Sequence, residues 1–159
     1  MTGTGAGPVE ADARPGPPAR FSVATVASVS VDLPHQFPVV VLREADAPRR
    51  QLSFTVGLQD GAALAHALRQ VPPPRPLTHE LTSGILHSFD IDVVAARLVG
   101  RTGHIYFAEL DLRGRTGRSV QACRPSDALT ICLLEPVPAP ILIDVRLFEQ
   151  IGDVAPTSG

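Results

Sequence analysis

A chain of 159 residues, 44% hydrophobic and 19% charged, has the length and composition of one folded domain with tails, which excludes a collagenous or wholly disordered polymer. All 14 basic residues are arginine, so reactions built on a Schiff-base lysine or a P-loop lysine are excluded as well. The formal net charge of −2 gives no bulk attraction to nucleic acid, and 4% aromatic residues without tryptophan offer no platform for stacking several bases.

Residues 1–20 are rich in Gly and Pro and nearly without apolar side chains, so a flexible arm is expected there. One domain is expected over 21–152 and a flexible tail over 153–159. FSVATVASVSVD alternates with period two, which predicts a half-buried strand. PVVVLRE is a short continuous apolar run, the pattern of a strand buried on both faces. The polar stretch READAPRRQ turns the chain back into LSFTVG, where Leu52, Phe54 and Val56 alternate, so a hairpin is expected. LQDGAALAHALRQ then places Leu58, Ala62, Ala65 and Leu68 on one helical face. VPPPRP breaks the helix, and Thr78 is the expected N-cap of the next, with Glu80 in its first turn and Leu81, Ile85 and Phe89 along one face.

DIDVVAARLVG, HIYFAELDLR and SVQAC read as three strands, punctuated at Gly100–Gly103 and again around Gly114 and Gly117. Pro125 and Asp127 open a helix through Leu134, residues 141–143 add a strand, and residues 145–151 a last helical turn or two. The predicted class is α+β, a mostly antiparallel sheet with helices packed on it. VGLQDGAALAHAL and ACRPSDALTICLL share a plan in which Asp60 and Asp127 correspond, which suggests an internal β-β-β-α duplication. Cys123 and Cys132 form no CxxC and are expected to be buried as small apolar residues. No apolar run reaches the length of a membrane span, and the expectation is a cytoplasmic protein without membrane contact.

Two strings carry chemistry. RPLTHEL, residues 75–81, puts Arg75, His79 and Glu80 around a helix start, where free N–H groups and the helix dipole attract anions. CRPSDAL, residues 123–129, repeats the theme with Arg124, Ser126 and Asp127. Each string taken alone is also explained by ordinary capping. Together they point to one anion-binding cleft, and His79, Arg75, Arg124 and Asp127 are expected to converge on it. His66, His87 and His104 are scattered and read as surface residues. The arginines at 97, 101, 113, 115 and 118 form either a phosphate-facing rim or a strand edge guarded by charge.

The succession PVVVLRE, LSFTVG, RPLTHEL, YFAELDL, RPSDAL and PILI resembles the bifunctional nuclease domain family over about residues 22–151. The resemblance implies an α+β fold, often a homodimer or higher homo-oligomer, and nuclease activity on DNA and RNA. The chain departs from the family pattern at Asp60-Gly61, where glutamate and alanine are usual. It departs again at Glu80, where aspartate is usual, and at Gln121-Ala122-Cys123, where an acid is common.

Two functions follow as expectations. In the first, the protein hydrolyses phosphodiester bonds, with His79, Glu80 and Asp127 as catalytic groups and Arg75, Arg124 and Ser126 holding the substrate. Asp127, Glu80 and Asp60 would then be candidate ligands for magnesium or manganese. A metal-free variant with His79 as base suits RNA, whose 2′-hydroxyl is an internal nucleophile. In the second, the protein is a non-catalytic dimeric binding or regulatory module that recognises an anionic ligand or an acidic partner.

Overall fold

The computed structural model describes residues 18–31 and 36–150. Most of the expected arm, the tail over 153–159 and the end of the last helix lie outside the described residues. Period-two alternation builds a first meander of β1 (Phe21–Ser30), β2 (Val39–Glu44) and β3 (Gln51–Thr55). Its register sets Val26 opposite Leu42, Leu42 opposite Leu52 and Val40 opposite Phe54, so the large apolar residues share one face. Only that face of β2 is buried. Val39 and Val41 are half-buried, which corrects the two-sided burial inferred from the unbroken apolar run.

A second meander follows, β4 (Asp92–Thr102), β5 (Ile105–Gly114) and β6 (Gly117–Cys123). After a helix, β7 (Ile141–Asp144) inserts between the two meanders, antiparallel to β1 and parallel to β4. The seven strands therefore run β3-β2-β1-β7-β4-β5-β6, mostly antiparallel. Bulges between Val26 and Ser28, Val93 and Ala95, and Leu98 and Gly100 strengthen the curl of the sheet. The consequence is a long-range contact. Phe54 on β3 meets Tyr106 on β5, ring centroids 5.4 Å apart, although β2, β1, β7 and β4 lie between them in the sheet.

Four helices pack against this sheet: α1 (Leu58–Arg69), α2 (Thr78–Ser88), α3 (Pro125–Leu134) and α4 (Arg146–Glu149). The described elements thus follow the order read from the sequence. α3 is the central helix, packed against α1, α2, β4 and β5, and Ala128, Leu129, Thr130, Ile131 and Cys132 on it are buried. A helix buried nearly all round needs no amphipathic stripe. Thr130, fully buried, donates its hydroxyl to the Ser126 carbonyl at 2.7 Å, so no polar group is stranded there.

The flanking helices correct two expectations about faces. On α1 the buried residues are Gly61, Ala63, Leu64 and Ala67, while Leu58, Ala62 and Leu68 point outward. Close approach decides this choice: a Cβ at Gly61 would lie 2.5 Å from Pro38 Cγ, so the helix docks through its smallest residue. On α2 the expected inner face is exposed, with Leu81 at 58%, Ile85 at 50% and Phe89 at 70%, and only Ser83 is buried. α2 packs on α3, which already covers the sheet beneath, so its apolar stripe has nothing further to cover among the described residues. Cys123 and Cys132 are free thiols; Cys132 is buried as expected, whereas Cys123 is half-buried at the end of β6. Burial pushes Cys132 up to about 12 and Cys123 up to about 11, so neither is a ready nucleophile. No helix among the described residues is long and apolar enough to cross a membrane.

Candidate functional site

Three helices begin on one side of the domain, and each carries an acid at its third helical position. These are Asp60 after the N-cap Gly57, Glu80 after the N-cap Leu77, and Asp127 after the N-cap Arg124. Thr78 is thus the first helical residue of α2 rather than its cap. First-turn N–H groups have no acceptor within their own helix, and the dipoles put partial positive charge at these ends. The three acids meet that charge in different ways. Glu80 turns back, and its Oε2 accepts the Leu77 N–H at 3.0 Å. Asp60 and Asp127 turn toward each other and share one guanidinium.

Arg124 stands between them. Its Nε donates to Asp127 Oδ2 at 2.9 Å and its Nη2 to Asp127 Oδ1 at 2.8 Å. Its Nη1 donates to Asp60 Oδ2 at 2.9 Å and its Nη2 to Asp60 Oδ1 at 3.2 Å. On the far side of Asp127, His79 Nε2 lies 3.0 Å from Oδ1, a contact that joins residues 48 apart in the chain. Burial pushes the Asp127 carboxyl up, but the hydrogen bonds from Arg124 and His79 outweigh it, and its pKa is held below the ordinary carboxylate value. The bond to Asp127, with the charge of Asp60 beyond it, raises Arg124 well above the usual guanidinium value. Asp127 is therefore an ionised acceptor. Facing this acceptor, His79 donates through Nε2–H, and the neutral tautomer that fits the contact carries its lone pair on Nδ1.

A cleft of about 750 Å³ opens over this group, lined by Asp60, Thr78, His79, Arg124 and Asp127 with Leu77 and Leu81 at its apolar edge. The side-chain exposures of His79, 13%, and Asp127, 26%, leave both reachable without making them surface groups. Beyond the Arg124–Asp60 bridge, a smaller hollow of about 300 Å³ continues past Thr55, Ser126, His104 and Tyr106.

The expected convergence is thus met by His79, Arg124 and Asp127, and Asp60 joins them. Arg75 is exposed and does not line the cleft. Ser126 is buried and borders only the smaller hollow. Glu80 borders a separate depression with His66 and Glu135. His87 is exposed, as expected, and pairs with Glu135 at 3.1 Å. Most of the arginine rim is neutralised within the fold. Arg97 pairs with Glu109, Arg113 with Asp92, Arg115 with Asp90 and Arg118 with Asp111, while Arg101 has no carboxylate partner among the described residues. Sequence reasoning missed Arg101, His104 and Tyr106 as neighbours of the site, because that adjacency comes from the curl of the sheet.

The donor set does not fit a divalent cation while Arg124 is in place. All four carboxylate oxygens of Asp60 and Asp127 already accept hydrogen bonds from the guanidinium, and Asp127 Oδ1 also faces His79. Glu80, the third candidate ligand, is held by its own helix start. A cation would have to displace a guanidinium that is hydrogen-bonded to both acids. The same geometry revises the expected phosphate clamp. Arg124 directs four hydrogen bonds at carboxylates and keeps one N–H of its five, too few for a bidentate grip.

The sequence model of the family described as "Bifunctional nuclease domain" matches residues 40–155. The chain is also 31% identical over 132 residues to the uncharacterized proteins MT1877 and Rv1829 of two strains of Mycobacterium tuberculosis, CDC 1551 and H37Rv. These matches cover 82% of this chain and 76% of each relative.

Proposed function

Because this chain belongs to the bifunctional nuclease domain family, we propose that the cleft at the three helix N-termini cleaves phosphodiester bonds of nucleic acid, with His79 as general base. The observation that carries the reading is the His79–Asp127 contact, a base oriented by an ionised carboxylate at the floor of an open cleft. Asp127 holds the imidazole with Nδ1 free to take a proton. It also stabilises the imidazolium once the proton has moved. The remaining Arg124 N–H and the first-turn N–H groups of α1, α2 and α3 supply partial positive charge for the phosphoryl oxygens. With no cation routed through the site, RNA is the favoured substrate. His79 takes the 2′-hydroxyl proton, the 2′-oxygen bonds to the adjacent phosphorus as the P–O5′ bond breaks, and the leaving 5′-oxygen takes a proton from the imidazolium or water, which leaves a 2′,3′-cyclic phosphate. His79→Ala should lower the cleavage of single-stranded RNA at least about a hundredfold, and chelator should leave the wild-type rate unchanged. Equal rates in wild type and variant prepared side by side would refute the assignment.

A non-catalytic binding module is the second reading, favoured by the near-saturation of Arg124 on carboxylates. That reading keeps affinity for an anionic ligand and shows no cleavage dependent on His79. In either case the outward stripe of Leu77, Leu81, Ile85 and Phe89, which runs about 18 Å along α2, supports a homodimer that packs this stripe against its copy. Ile85→Glu should shift the sedimentation of such a dimer to the monomer.

A further inference from the structure

The cleft described above is one end of a longer depression. Its smaller neighbour, past the Arg124–Asp60 bridge, overlaps a further hollow of about 290 Å³ lined by Ser53, Thr55, Arg101, His104 and Tyr106. That one in turn shares Ser53, Arg101 and Tyr106 with a hollow of about 250 Å³ beside Val41 and Gln51. The result is a trough between the edge strand β3 and the tip of the β4–β5 hairpin, created where the curled sheet brings Phe54 onto Tyr106.

The chemistry of the trough is uniform. Beside Val39, Val41 and Phe54, the two distal hollows are lined by hydroxyls, an amide, an imidazole and the guanidinium of Arg101, and by no carboxylate of the described residues. Arg101 is anchored but not neutralised. Its Nε donates to the Gly103 carbonyl at 2.6 Å, its Nη1 lies 3.4 Å from Tyr106 Oη, and its guanidinium carbon sits 5.6 Å from the Tyr106 ring centroid. Every other arginine of the two hairpins β4–β5 and β5–β6 is engaged by an acid. The fold thus leaves one fixed cation at the far end of the trough, His104 midway, and Arg124 at the cleft.

Resting on the cleavage reading of the cleft, we propose that this trough is the seat of a single-stranded polynucleotide, one backbone phosphate lying on Arg101 while a neighbouring part of the chain reaches the His79 cleft. Single strands fit because Arg101 faces a concave track, bounded by a sheet edge and a hairpin tip, that runs on to the cleft. A rigid duplex of B-form width cannot descend into hollows of this size. Tyr106 and Phe54 are buried beneath the track, so the contact is to backbone and is indifferent to base sequence.

The test is fluorescence anisotropy of the full chain with a short labelled single-stranded oligodeoxynucleotide, which lacks the 2′-hydroxyl and survives the measurement, titrated across several salt concentrations. Arg101→Gln should weaken binding roughly tenfold and lower the slope of log affinity against log salt by about 0.7, the value of one single-strand phosphate contact. Arg101→Lys should restore most of the slope. Ser53→Asp, which puts a negative charge on the track without touching the hairpin turn, should weaken binding as well. Arg113→Gln removes the same charge from a pair outside the track and should change neither quantity. A duplex of equal length should bind at least several-fold more weakly. Unchanged affinity and salt slope in Arg101→Gln, no binding by the wild type, or preference for the duplex would each overturn the trough. Failure of the cleavage reading looks different: His79→Ala would then equal wild type in cleavage assays while the Arg101 effects on binding persist.

Discussion

Among the molecule's arginine–carboxylate groups, two use the same chemistry to opposite ends. In the β2–β3 hairpin, Glu44 accepts from Arg50 Nε at 2.9 Å, Arg50 Nη2 at 2.8 Å and the Arg50 backbone N–H at 2.9 Å. Glu44 itself is buried, and the Arg50 guanidinium carbon lies 4.5 Å from the Phe148 ring centroid. One acid meets one base across a turn, charge is balanced, and an aromatic ring covers the pair. At the helix N-termini, Arg124 instead serves two acids, one of which holds a histidine, and an open cleft lies above them. The contacts there span 48 and 64 residues, so they require the finished fold. A closed, locally built pair is a fastener. An open pair with a surplus acid and an imidazole is chemistry in waiting, because its parts stay oriented without being used up.

That contrast can be broken by mutation. Glu44→Gln should have the largest effect on stability, about 2 kcal/mol in chemical denaturation. The value lies below that for breaking a fully buried pair, because the Arg50 side chain is 35% exposed and solvent screens it. Cleavage should be unaffected. Its pH dependence sharpens the point. The Arg50 hydrogen bond lowers the Glu44 pKa from the usual 4.5 to about 2, against the opposing effect of burial. A lowered carboxylate pKa stabilises the fold fully above pH 4.5 and loses that contribution as pH falls toward 2. The gap between wild type and Glu44→Gln should therefore close across that interval.

Gly61→Ala comes next, at about 1–2 kcal/mol, because the added methyl meets Pro38 Cβ at 2.7 Å and Cγ at 2.5 Å and the α1 start must shift. Arg124→Gln should cost less, about 1 kcal/mol, because the guanidinium is exposed to the cleft. It has a second signature. With their cation removed, Asp60 and Asp127 become a pair of free carboxylates, and millimolar magnesium should raise the melting temperature of the variant by about 2–4 °C while leaving wild type unmoved. An equal shift in wild type would show that Arg124 does not keep cations out. Breaking the exposed Arg113–Asp92 pair should have the smallest effect, under about 0.5 kcal/mol.

The element order was legible because strands and helices announce themselves locally: alternation at Leu52 and Phe54, alanines through α1, proline at the start of α3. Helix faces were less legible. Gly61 and Ala63 carry little hydrophobic weight, yet a close approach to Pro38 decides which side of α1 docks, and α3 leaves the larger residues of α2 outside. At the site, the acids at the third helical positions and the histidine beside one of them could be read from RPLTHEL and RPSDAL. Their partners could not. Arg124 is itself the N-cap of α3 and is held where the helix begins, whereas Arg75 lies two residues before the α2 cap, and that offset leaves it outside the cleft. The link from Arg124 to Asp60, and the trough that runs to Arg101, depend on how far the sheet curls, which alternation does not encode.

The central claim is that Asp127 acts by holding His79 and not by capping its helix, and Asp127→Asn tests it directly. Asp127 lies at the third helical position and makes no capping hydrogen bond, so asparagine should lower the melting temperature by no more than about 2–4 °C, the loss of its charge against Arg124 and the helix dipole. Cleavage of single-stranded RNA should fall at least about a hundredfold, since the amide neither fixes the Nε2–H tautomer nor stabilises the imidazolium. Wild type and variant purified in parallel and showing the same chelator-insensitive activity would contradict the account.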